Sequence, residues 1–311
     1  MDGKNVILIT GGAGYIGSQL IRDIVLDPRF AGFTVRIYDS LRHKNFSALM
    51  DLPVERRYEF IEGDILDRLN LQRAMQDAAM VVHLAAIVTT PLSFDHPEWT
   101  EQINHWGTAA VVDCMVRAGV MRMIYASSAS VYGPGGPFKE TDLCRPVGPY
   151  AISKRKAEDE IRQAEVRGIQ PTIVRLGTVF GSAPAMRFDA TINRFAYLAG
   201  VRRPMVIYGS GNQVRPFIHI RDTSEALRLC MADPAFIGET VNAATEHLSL
   251  NTIATAVQRI IPEATMRYTD QDILTEISYD VDATKLISMG FVPQVSLEEG
   301  LKEVLERWKG F

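Results

Sequence analysis

Short apolar runs rich in β-branched residues alternate with segments of helical periodicity along the first half of the chain. A strand, a helix and a second strand at this spacing form a βαβ unit, and successive units pair their strands in parallel. The alternation therefore predicts an α/β fold, a doubly wound parallel sheet with helices on both faces. The predicted strands lie within NVILIT (5–10), TVRIYD (34–39), YEFIEGD (58–64), MVVHLAA (80–86), MRMIYASS (121–128) and QPTIVRLG (170–177). The predicted helices span 15–27, 67–77, 98–118 and 150–167.

The strict alternation ends after Gly181, where helix and loop patterns mix. We predict a smaller C-terminal lobe there, with ETVNAA (239–244) returning to the sheet as a last strand. The predicted division is residues 1–180 plus about 215–245 for the large domain, and about 181–214 with 246–311 for the lobe.

The composition excludes several classes of protein. Hydrophobic residues make up 47% and charged residues 23% of the chain, as in an ordinary globular protein, and the net charge of −4 predicts no nucleic-acid partner. Since no secretory signal and no run of 18 apolar residues is present, we expect a cytoplasmic protein that does not enter a membrane. Three widely spaced cysteines, Cys114, Cys144 and Cys230, predict neither disulfides nor a metal site.

A glycine-rich turn joins the first predicted strand to the first predicted helix, in ITGGAGYIGSQLI (9–21). Gly12, Gly14 and Gly17 fit the pattern GxGxxG, and Gly11 extends it. Glycines allow the backbone to turn tightly and to approach a pyrophosphate, which then lies on the free N–H groups of the helix. By itself, the pattern is also compatible with an ordinary tight turn.

An acidic residue ends the second predicted strand, 22 residues after Gly17. This residue, Asp39, is placed to accept hydrogen bonds from an adenosine ribose, and its charge repels a 2′-phosphate. The spacing therefore favours NAD over NADP. Arg42, His43 and Lys44 follow closely, and they either offset this repulsion or are simply solvated.

A tyrosine and a lysine lie four positions apart in PYAISK (149–154). On a helix, Tyr150 and Lys154 share one face, and a nearby ammonium group favours the phenolate form of the tyrosine. Such a tyrosine can exchange a proton with an alcohol. The preceding strand ends in YASSASVYG (125–133), whose serines at 127, 128 and 130 are all candidates to bind the same oxygen.

Taken in order, these motifs resemble the extended short-chain dehydrogenase/reductase family, and within it the nucleotide-sugar epimerases and dehydratases. Members of this family have a Rossmann-type sheet that binds NAD and a smaller lobe that binds a nucleoside-diphosphate sugar. The resemblance covers nearly the whole chain. The matching motifs are TGGAGYIG (10–17), Asp39, GDI (63–65), HLAA (83–86), Asn104 before GT, SSASVYG (127–133), YAISK (150–154), RLGTVFG (175–181) and YGSGNQVRPFIHIRD (208–222).

The resemblance implies a role for individual residues. Catalysis is assigned to Ser128, to Tyr150 as acid/base and to Lys154, which lowers the pKa of the tyrosine. The implied NAD-binding residues are Gly11, Gly14, Tyr15, Ile16, Gly17, Asp39, Asp64, Ile65, Leu84, Ala85, Ala86, Asn104, Tyr150 and Lys154. The implied substrate-binding residues are Thr89, Ser128, Thr178, Arg215 and Tyr279, with Arg215 against the diphosphate.

Departures from the family pattern narrow the expected reaction. The 4,6-dehydratases carry an Asp-Glu pair where this chain has Ala129 and Ser130, so dehydration is disfavoured. Decarboxylating relatives place a glutamate at the position of Ser130. Val88, Thr178 and Pro216 replace a lysine, an asparagine and an aspartate of the galactose-type epimerases, which indicates a different sugar pocket.

The expected activity is an NAD-dependent nucleotide-sugar 4-epimerase that acts through a transient 4-keto hexose. The alternatives are a C4 dehydrogenase or 4-keto reductase of the same family and, more remotely, a non-catalytic dinucleotide-binding protein. The family also implies a homodimer built from the helices near 98–118 and 150–167. Trp99, Ile103, Trp106, Ala110 and Cys114 form a stripe on the first of these, which a core-facing helix explains equally well.

Overall fold

A computed structural model of the chain describes residues 5–54, 58–269 and 277–308. The strands are β1 (Val6–Thr10), β2 (Thr34–Asp39), β3 (Tyr58–Glu62), β4 (Ala78–His83), β5 (Arg122–Ser128), β6 (Gly135–Phe138), β7 (Gln170–Leu176), β8 (Thr178–Phe180), β9 (Met205–Tyr208), β10 (Val214–His219), β11 (Thr240–Ala243), β12 (Glu246–Ser249), β13 (Met266–Thr269) and β14 (Tyr279–Val281). The α-helices are α1 (Tyr15–Leu26), α2 (Arg68–Ala74), α3 (Thr90–Asp95), α4 (Pro97–Glu101), α5 (Gly107–Ala118), α6 (Pro149–Gln163), α7 (Thr191–Gly200), α8 (Ile220–Ala232), α9 (Leu250–Ile260), α10 (Thr284–Ser288) and α11 (Leu297–Glu306). A π-helical segment spans Gln102–Trp106, and 3₁₀ turns span Pro28–Phe30, Phe46–Leu49, Ala129–Tyr132, Ala164–Arg167 and Pro234–Phe236.

The centre of the molecule is a seven-stranded sheet in the order β11-β7-β5-β4-β1-β2-β3, in which every pairing is parallel. The predicted doubly wound α/β fold is therefore confirmed, and ETVNAA contributes the edge strand β11. The strand order reverses between β1 and β4. In sheets of this kind, ligands bind outside the carboxyl ends of the strands at such a reversal.

Helices cover both faces of the sheet because its strands are apolar on both sides. All five residues of β1 are buried, as expected for a central parallel strand. Helices α1 and α8 pack on one face through side chains such as Leu20 and Leu227. Helices α2, α5 and α6 pack on the other through side chains such as Val111 and Ile161.

The other strands of the described residues form smaller sheets. Strands β12, β10 and β8 form a three-stranded sheet, while β13 pairs with β9 and β14 with β6. A separate apolar cluster joins α7, α9 and α11, with Phe195, Ile253 and Leu301 at its centre. The three-stranded sheet combines β10, from the predicted large domain, with β12, from the predicted lobe, so the division of the chain into two units stays a prediction.

The predicted helix 98–118 is helical throughout, but it is not a single α-helix. It consists of α4, the π-helical segment and α5, in that order. Of the stripe on this helix, Ala110 and Cys114 are buried in the core, and Trp99 and Ile103 line a cavity described below. Trp106 is the member that is 57% exposed. The stripe therefore faces inward for the most part, as a core-facing helix would, and the homodimer stays a prediction.

Within residues 5–54, 58–269 and 277–308, no helix is both long and apolar enough to cross a membrane.

Candidate active site

Two adjoining cavities open at the carboxyl edge of the central sheet. The smaller, about 140 Å³, lies against the ends of β1, β2 and β4, and the larger, about 300 Å³, lies between the end of β5, the start of α6 and the C-terminal residues. Leu84 lines both cavities, so they are neighbours. The two cavities therefore meet at Leu84, near the reversal of strand order.

The glycine turn between β1 and α1 forms one wall of the smaller cavity. Gly11 has φ +72°, and a Cβ atom there would lie 2.6 Å from the backbone nitrogen of Ala85. A Cβ on Gly17 would lie 2.5 Å from the carbonyl oxygen of Gly11. Gly14 is the N-cap of α1 and has no side chain, so the free N–H groups of the first turn stay available to a phosphate. The turn therefore fits the pyrophosphate of a dinucleotide.

Asp39, at the end of β2, lines the same cavity. Its Oδ2 accepts a hydrogen bond from the backbone nitrogen of Ala13 at 3.0 Å, and its Oδ1 accepts one from Leu41 at 2.9 Å. Burial raises the pKa of Asp39, and the two N–H donors act in the opposite direction. The carboxylate is thus fixed beside the phosphate turn, in reach of a ribose.

The remaining walls of the smaller cavity come from the ends of β3 and β4. The predicted residues Asp64, Ile65, Leu84, Ala85 and Ala86 all line it. Arg42 and Trp99 line this cavity as well. The sequence placed Arg42 close after Asp39 and Trp99 on a helix stripe, but nothing in their local patterns brings the two side chains together.

Three predicted cofactor residues line neither cavity: Tyr15, Gly17 and Asn104. The hydroxyl of Tyr15 donates to the carbonyl oxygen of Gly181 at 2.6 Å. The Oδ1 of Asn104 accepts a hydrogen bond from the backbone nitrogen of Ile87 at 2.7 Å, and its Nδ2 donates to the hydroxyl of Ser153 at 3.1 Å. These side chains hold the segments that form the cleft. Ile16 lines the larger cavity.

The larger cavity brings together the three predicted catalytic residues, Ser128, Tyr150 and Lys154. Ser128 ends β5, and its hydroxyl accepts from the backbone nitrogen of Ser130 at 3.2 Å as the N-cap of the next turn. Tyr150 lies in the first turn of α6, which begins at Pro149, a residue whose fixed φ suits that position. Serine and tyrosine therefore meet because a strand end and a helix start face the same space.

The pKa of Tyr150 is raised by burial, and Arg187 and a hydrogen bond with Ser128 lower it in part. The groups that lower the pKa of Tyr150 do not include Lys154, to which the resemblance assigns that role. Arg187 follows β8, in a segment without periodicity, and no sequence signal pointed to it.

Lys154 lies one turn beyond Tyr150 and is only 3% exposed. Its Nζ donates to the carbonyl oxygen of Ala126 at 2.8 Å and lies 4.9 Å from the ring centroid of Tyr125. Burial lowers the pKa of Lys154 to about 7, although Glu158 acts to raise it. Burial therefore disfavours the charged form of this amine, at the edge of the cleft.

A buried ion pair supports this part of the site. Glu158 and Arg175 are 1% and 4% exposed, and Arg175 Nη2 lies 2.7 Å from the Glu158 carboxylate. The hydroxyl of Ser127 donates to the same carboxylate at 2.6 Å. Arg175 also donates to the hydroxyl of Tyr132 at 2.8 Å. The pair ties α6 to the ends of β5 and β7, next to Ser128.

The predicted substrate residues Thr178, Arg215 and Tyr279 line the larger cavity, where the guanidinium of Arg215 lies 5.0 Å from the ring centroid of Tyr279. Thr89 does not line it, but its hydroxyl donates to Asp189, which does, at 3.2 Å.

The charged side chains that line this cavity, within the described part of the chain, are predominantly basic: Lys154, Arg187, Arg194 and Arg215, against Asp189. Arg187 binds the Asp189 carboxylate at 3.0 Å and donates to the carbonyl oxygen of Val88 at 3.1 Å. The excess of guanidinium groups suits an anionic ligand such as a diphosphate.

Comparison with known proteins decides the family. The model of the NAD-dependent epimerase/dehydratase family matches residues 7–244, more than half of the chain. The chain belongs to this family. It is therefore an enzyme of the extended short-chain dehydrogenase/reductase type, and its cofactor is NAD, which the glycine turn and Asp39 fit.

The epimerase/dehydratase relatives include both reaction types. The chain is 29% identical to the mouse (Mus musculus) dTDP-D-glucose 4,6-dehydratase, over 97% of this chain and 88% of that protein. The structure of UDP-glucuronic acid 4-epimerase from Bacillus cereus, solved with UDP-glucuronic acid and NAD, matches with a TM-score of 0.90 and 26% identity, over 98% and 99% of the two chains. UDP-glucose 4-epimerase from Thermotoga maritima, solved with UDP-glucose, matches with a TM-score of 0.85 and 26% identity, over 98% of each chain.

Proposed function

We propose that this enzyme is a 4-epimerase of a nucleoside-diphosphate hexose and that it acts through a transient 4-keto sugar. The proposal rests on which acidic side chains line the larger cavity. Where 4,6-dehydratases carry an acidic pair, Ala129 is fully buried and the Ser130 hydroxyl is hydrogen-bonded to that of Ser128 at 2.9 Å. The carboxylate that does line the cavity, Asp189, is bound to Arg187. Elimination of water needs a positioned acid and base, and the described residues supply no such acidic pair.

In the proposed reaction, Tyr150 takes the proton from the C4 hydroxyl of the sugar, and Ser128 hydrogen-bonds the same oxygen. NAD⁺ held at the glycine turn and Asp39 would supply the acceptor for the C4 hydride. Rotation of the 4-keto sugar would then present its other face to the same hydride. Tyr150 then gives the proton back to the oxygen. Arg187 and Ser128 act to lower the pKa of the tyrosine, and Lys154, on the same face of α6, is placed to bind the nicotinamide ribose.

We propose that Arg215 and Arg194 bind the diphosphate. Each guanidinium stacks on an aromatic ring, Arg215 on Tyr279 at 5.0 Å and Arg194 on Tyr208 at 5.8 Å. Stacking fixes the plane of a guanidinium and leaves its edge available to phosphate oxygens. Thr178 and Tyr279 then border the sugar.

For the hexose, we propose a uronate in preference to a neutral sugar. Arg187 lines the same cavity as Tyr150, and its positive charge acts to lower the pKa of that tyrosine. A guanidinium there compensates the carboxylate of a uronic acid, and the similarity to an enzyme solved with UDP-glucuronic acid supports this choice.

The test is to follow UDP-, GDP-, dTDP- and CDP-hexoses by proton NMR with substoichiometric NAD⁺, including UDP-glucose and UDP-glucuronic acid. We expect inversion at C4 beyond the amount of cofactor, fastest with the uronate. The Tyr150→Phe variant, assayed in parallel, provides the catalytic control. Conversion that stops at a keto sugar in proportion to the NAD⁺ supplied would show a C4 dehydrogenase instead. A faster reaction with the neutral hexose would refute the uronate assignment alone.

The homodimer implied by the family resemblance and the cytoplasmic location expected from the sequence stay predictions.

A further inference from the structure

We propose that Arg42 and Trp99 bind the adenine ring of NAD and determine how slowly the cofactor leaves. The proposal rests on the NAD dependence of the family and not on the 4-epimerase reaction, so it can be tested without a sugar.

Arg42 and Trp99 approach the smaller cavity from two different elements. Arg42 lies three residues after Asp39, and Trp99 lies in α4, yet both line the cavity together with Asp64 and Ile65. The guanidinium carbon of Arg42 lies 5.1 Å from the centroid of the indole ring. Its Nη2 lies 3.9 Å from a carboxylate oxygen of Asp64. A flat cation, an aromatic ring and an acceptor therefore converge at one end of the cavity.

The exposure of the wall residues indicates where this pair lies. The side chain of Arg42 is 56% exposed, and Ile65 is 5% exposed. Arg42 thus lies on the solvent side of the cavity, and Ile65 lies at its base. A ring that enters beside Asp39 is then bordered by apolar side chains below and by the cation–indole pair at the mouth.

These groups match the chemistry of adenine. Its faces stack on indole and on guanidinium planes, and its exocyclic amine donates to a carboxylate such as Asp64. The same contacts hold Arg42 toward Trp99 and Asp64.

The loop that carries Arg42 is anchored on both sides, which distinguishes Arg42 from a merely solvated residue. Arg22 Nη1, on α1, donates to the carbonyl oxygen of Ala48 at 2.9 Å. The hydroxyl of Ser47 donates to the carbonyl oxygen of Pro184 at 2.9 Å. At the start of the loop, Asp39 holds the backbone of Leu41, so the position of Arg42 is set before the cofactor enters.

The experiment measures the dissociation rate of NADH by stopped-flow fluorescence, and the affinity for ADP-ribose, which has the adenine but not the nicotinamide. The variants are Trp99→Ala, Trp99→Phe and Arg42→Ala. Trp106→Ala is the matched control, since Trp106 is exposed and lines neither cavity.

Stacking of a base on an aromatic side chain contributes about 1–3 kcal/mol, which is roughly a 5- to 150-fold change in an equilibrium constant. We expect Trp99→Ala to speed NADH dissociation within this range and to weaken ADP-ribose binding by a similar factor. Trp99→Phe should have a smaller effect, Arg42→Ala should fall between the two, and Trp106→Ala should leave both quantities unchanged.

Rates within twofold of the unmodified protein for both Trp99→Ala and Arg42→Ala would overturn the proposal. So would a loss of NADH affinity without a loss of ADP-ribose affinity, because the effect would then lie at the nicotinamide end. Arg42 is a surface side chain, and its replacement keeps the test decisive if Trp99→Ala does not fold.

Discussion

The buried pair of Glu158 and Arg175 allows a quantitative prediction about stability. In the wild-type protein, Arg175 Nε and Nη2 both donate to the Glu158 carboxylate, at 3.0 and 2.7 Å, and Ser127 donates to it as well. The Glu158→Gln substitution keeps the shape and one acceptor oxygen but removes the negative charge. Arg175, 4% exposed, then remains a charged group in the interior with Tyr132 and a carbonyl oxygen as partners.

Removing one partner of a buried ion pair costs about 3–5 kcal/mol, because the other charge is left uncompensated. Since Gln keeps one acceptor, we expect Glu158→Gln to lower the free energy of unfolding by about 3 kcal/mol, at the low end of this range. Replacing both residues with apolar ones, as in Glu158→Leu with Arg175→Met, should destabilise the protein by less than the sum of the two single changes.

The assay is urea unfolding followed by circular dichroism, with the unfolding free energy taken from the midpoint and slope. Glu298→Gln is the control, because Glu298 pairs with Lys302 at the surface, where the side chains are 72% and 56% exposed. That variant should unfold at the same urea concentration as the unmodified protein. A loss below about 1 kcal/mol in Glu158→Gln, or strict additivity in the double variant, would refute the reasoning that the charge of Arg175 depends on Glu158.

Three further outcomes are expected. Tyr150→Phe should reduce turnover about 10²- to 10⁴-fold while NAD stays bound, as measured by initial rates and cofactor titration, and unchanged turnover would exclude Tyr150 as the acid/base. Gly11→Ala should weaken NAD binding, since its Cβ would lie 2.6 Å from the backbone of Ala85, and calorimetry that shows equal affinity would contradict the steric argument. Burial lowers the pKa of His83 to about 3, so the folded state binds fewer protons than the unfolded state between about pH 6.5 and 3. Stability should therefore fall as the pH drops through this window, by up to about 1.4 kcal/mol per pH unit, and His83→Gln should flatten the fall in the urea midpoint.

The sequence predicts the sheet well because its strands are short, apolar and β-branched, and burial on both faces leaves them no other arrangement. It also predicts the meeting of Ser128 with Tyr150, since both lie at ends of elements that share one edge of the sheet. Periodicity does not reveal a π-helical segment, which depends on how α4 and α5 dock, so residues 98–118 were predicted as one helix.

The partners of charged side chains are the least predictable part of the site. Arg187 contacts Val88, 99 positions earlier, and Arg42 faces Trp99, 57 positions later. Neither contact follows from a local pattern, because both are set by the packing of loops on the finished sheet. The same holds for Asn104, whose position before GT suggested the cofactor, while its hydrogen bonds go to Ile87 and Ser153.

The π-helical segment Gln102–Trp106 also determines how the residues of α4 are rotated about the helix axis relative to those of α5. A π turn contains an extra residue, and each residue of an α-helix advances by about 100°, so the segment rotates everything after it relative to everything before it. Trp99, before the segment, and Ile103, within it, line the smaller cavity. Ala110 and Cys114, after the segment, are buried in the core. Deleting one residue here would convert the π turn to an α turn. One of these two sets of side chains would then face the solvent. Chain length in this segment is thus under a constraint that no single side chain reveals.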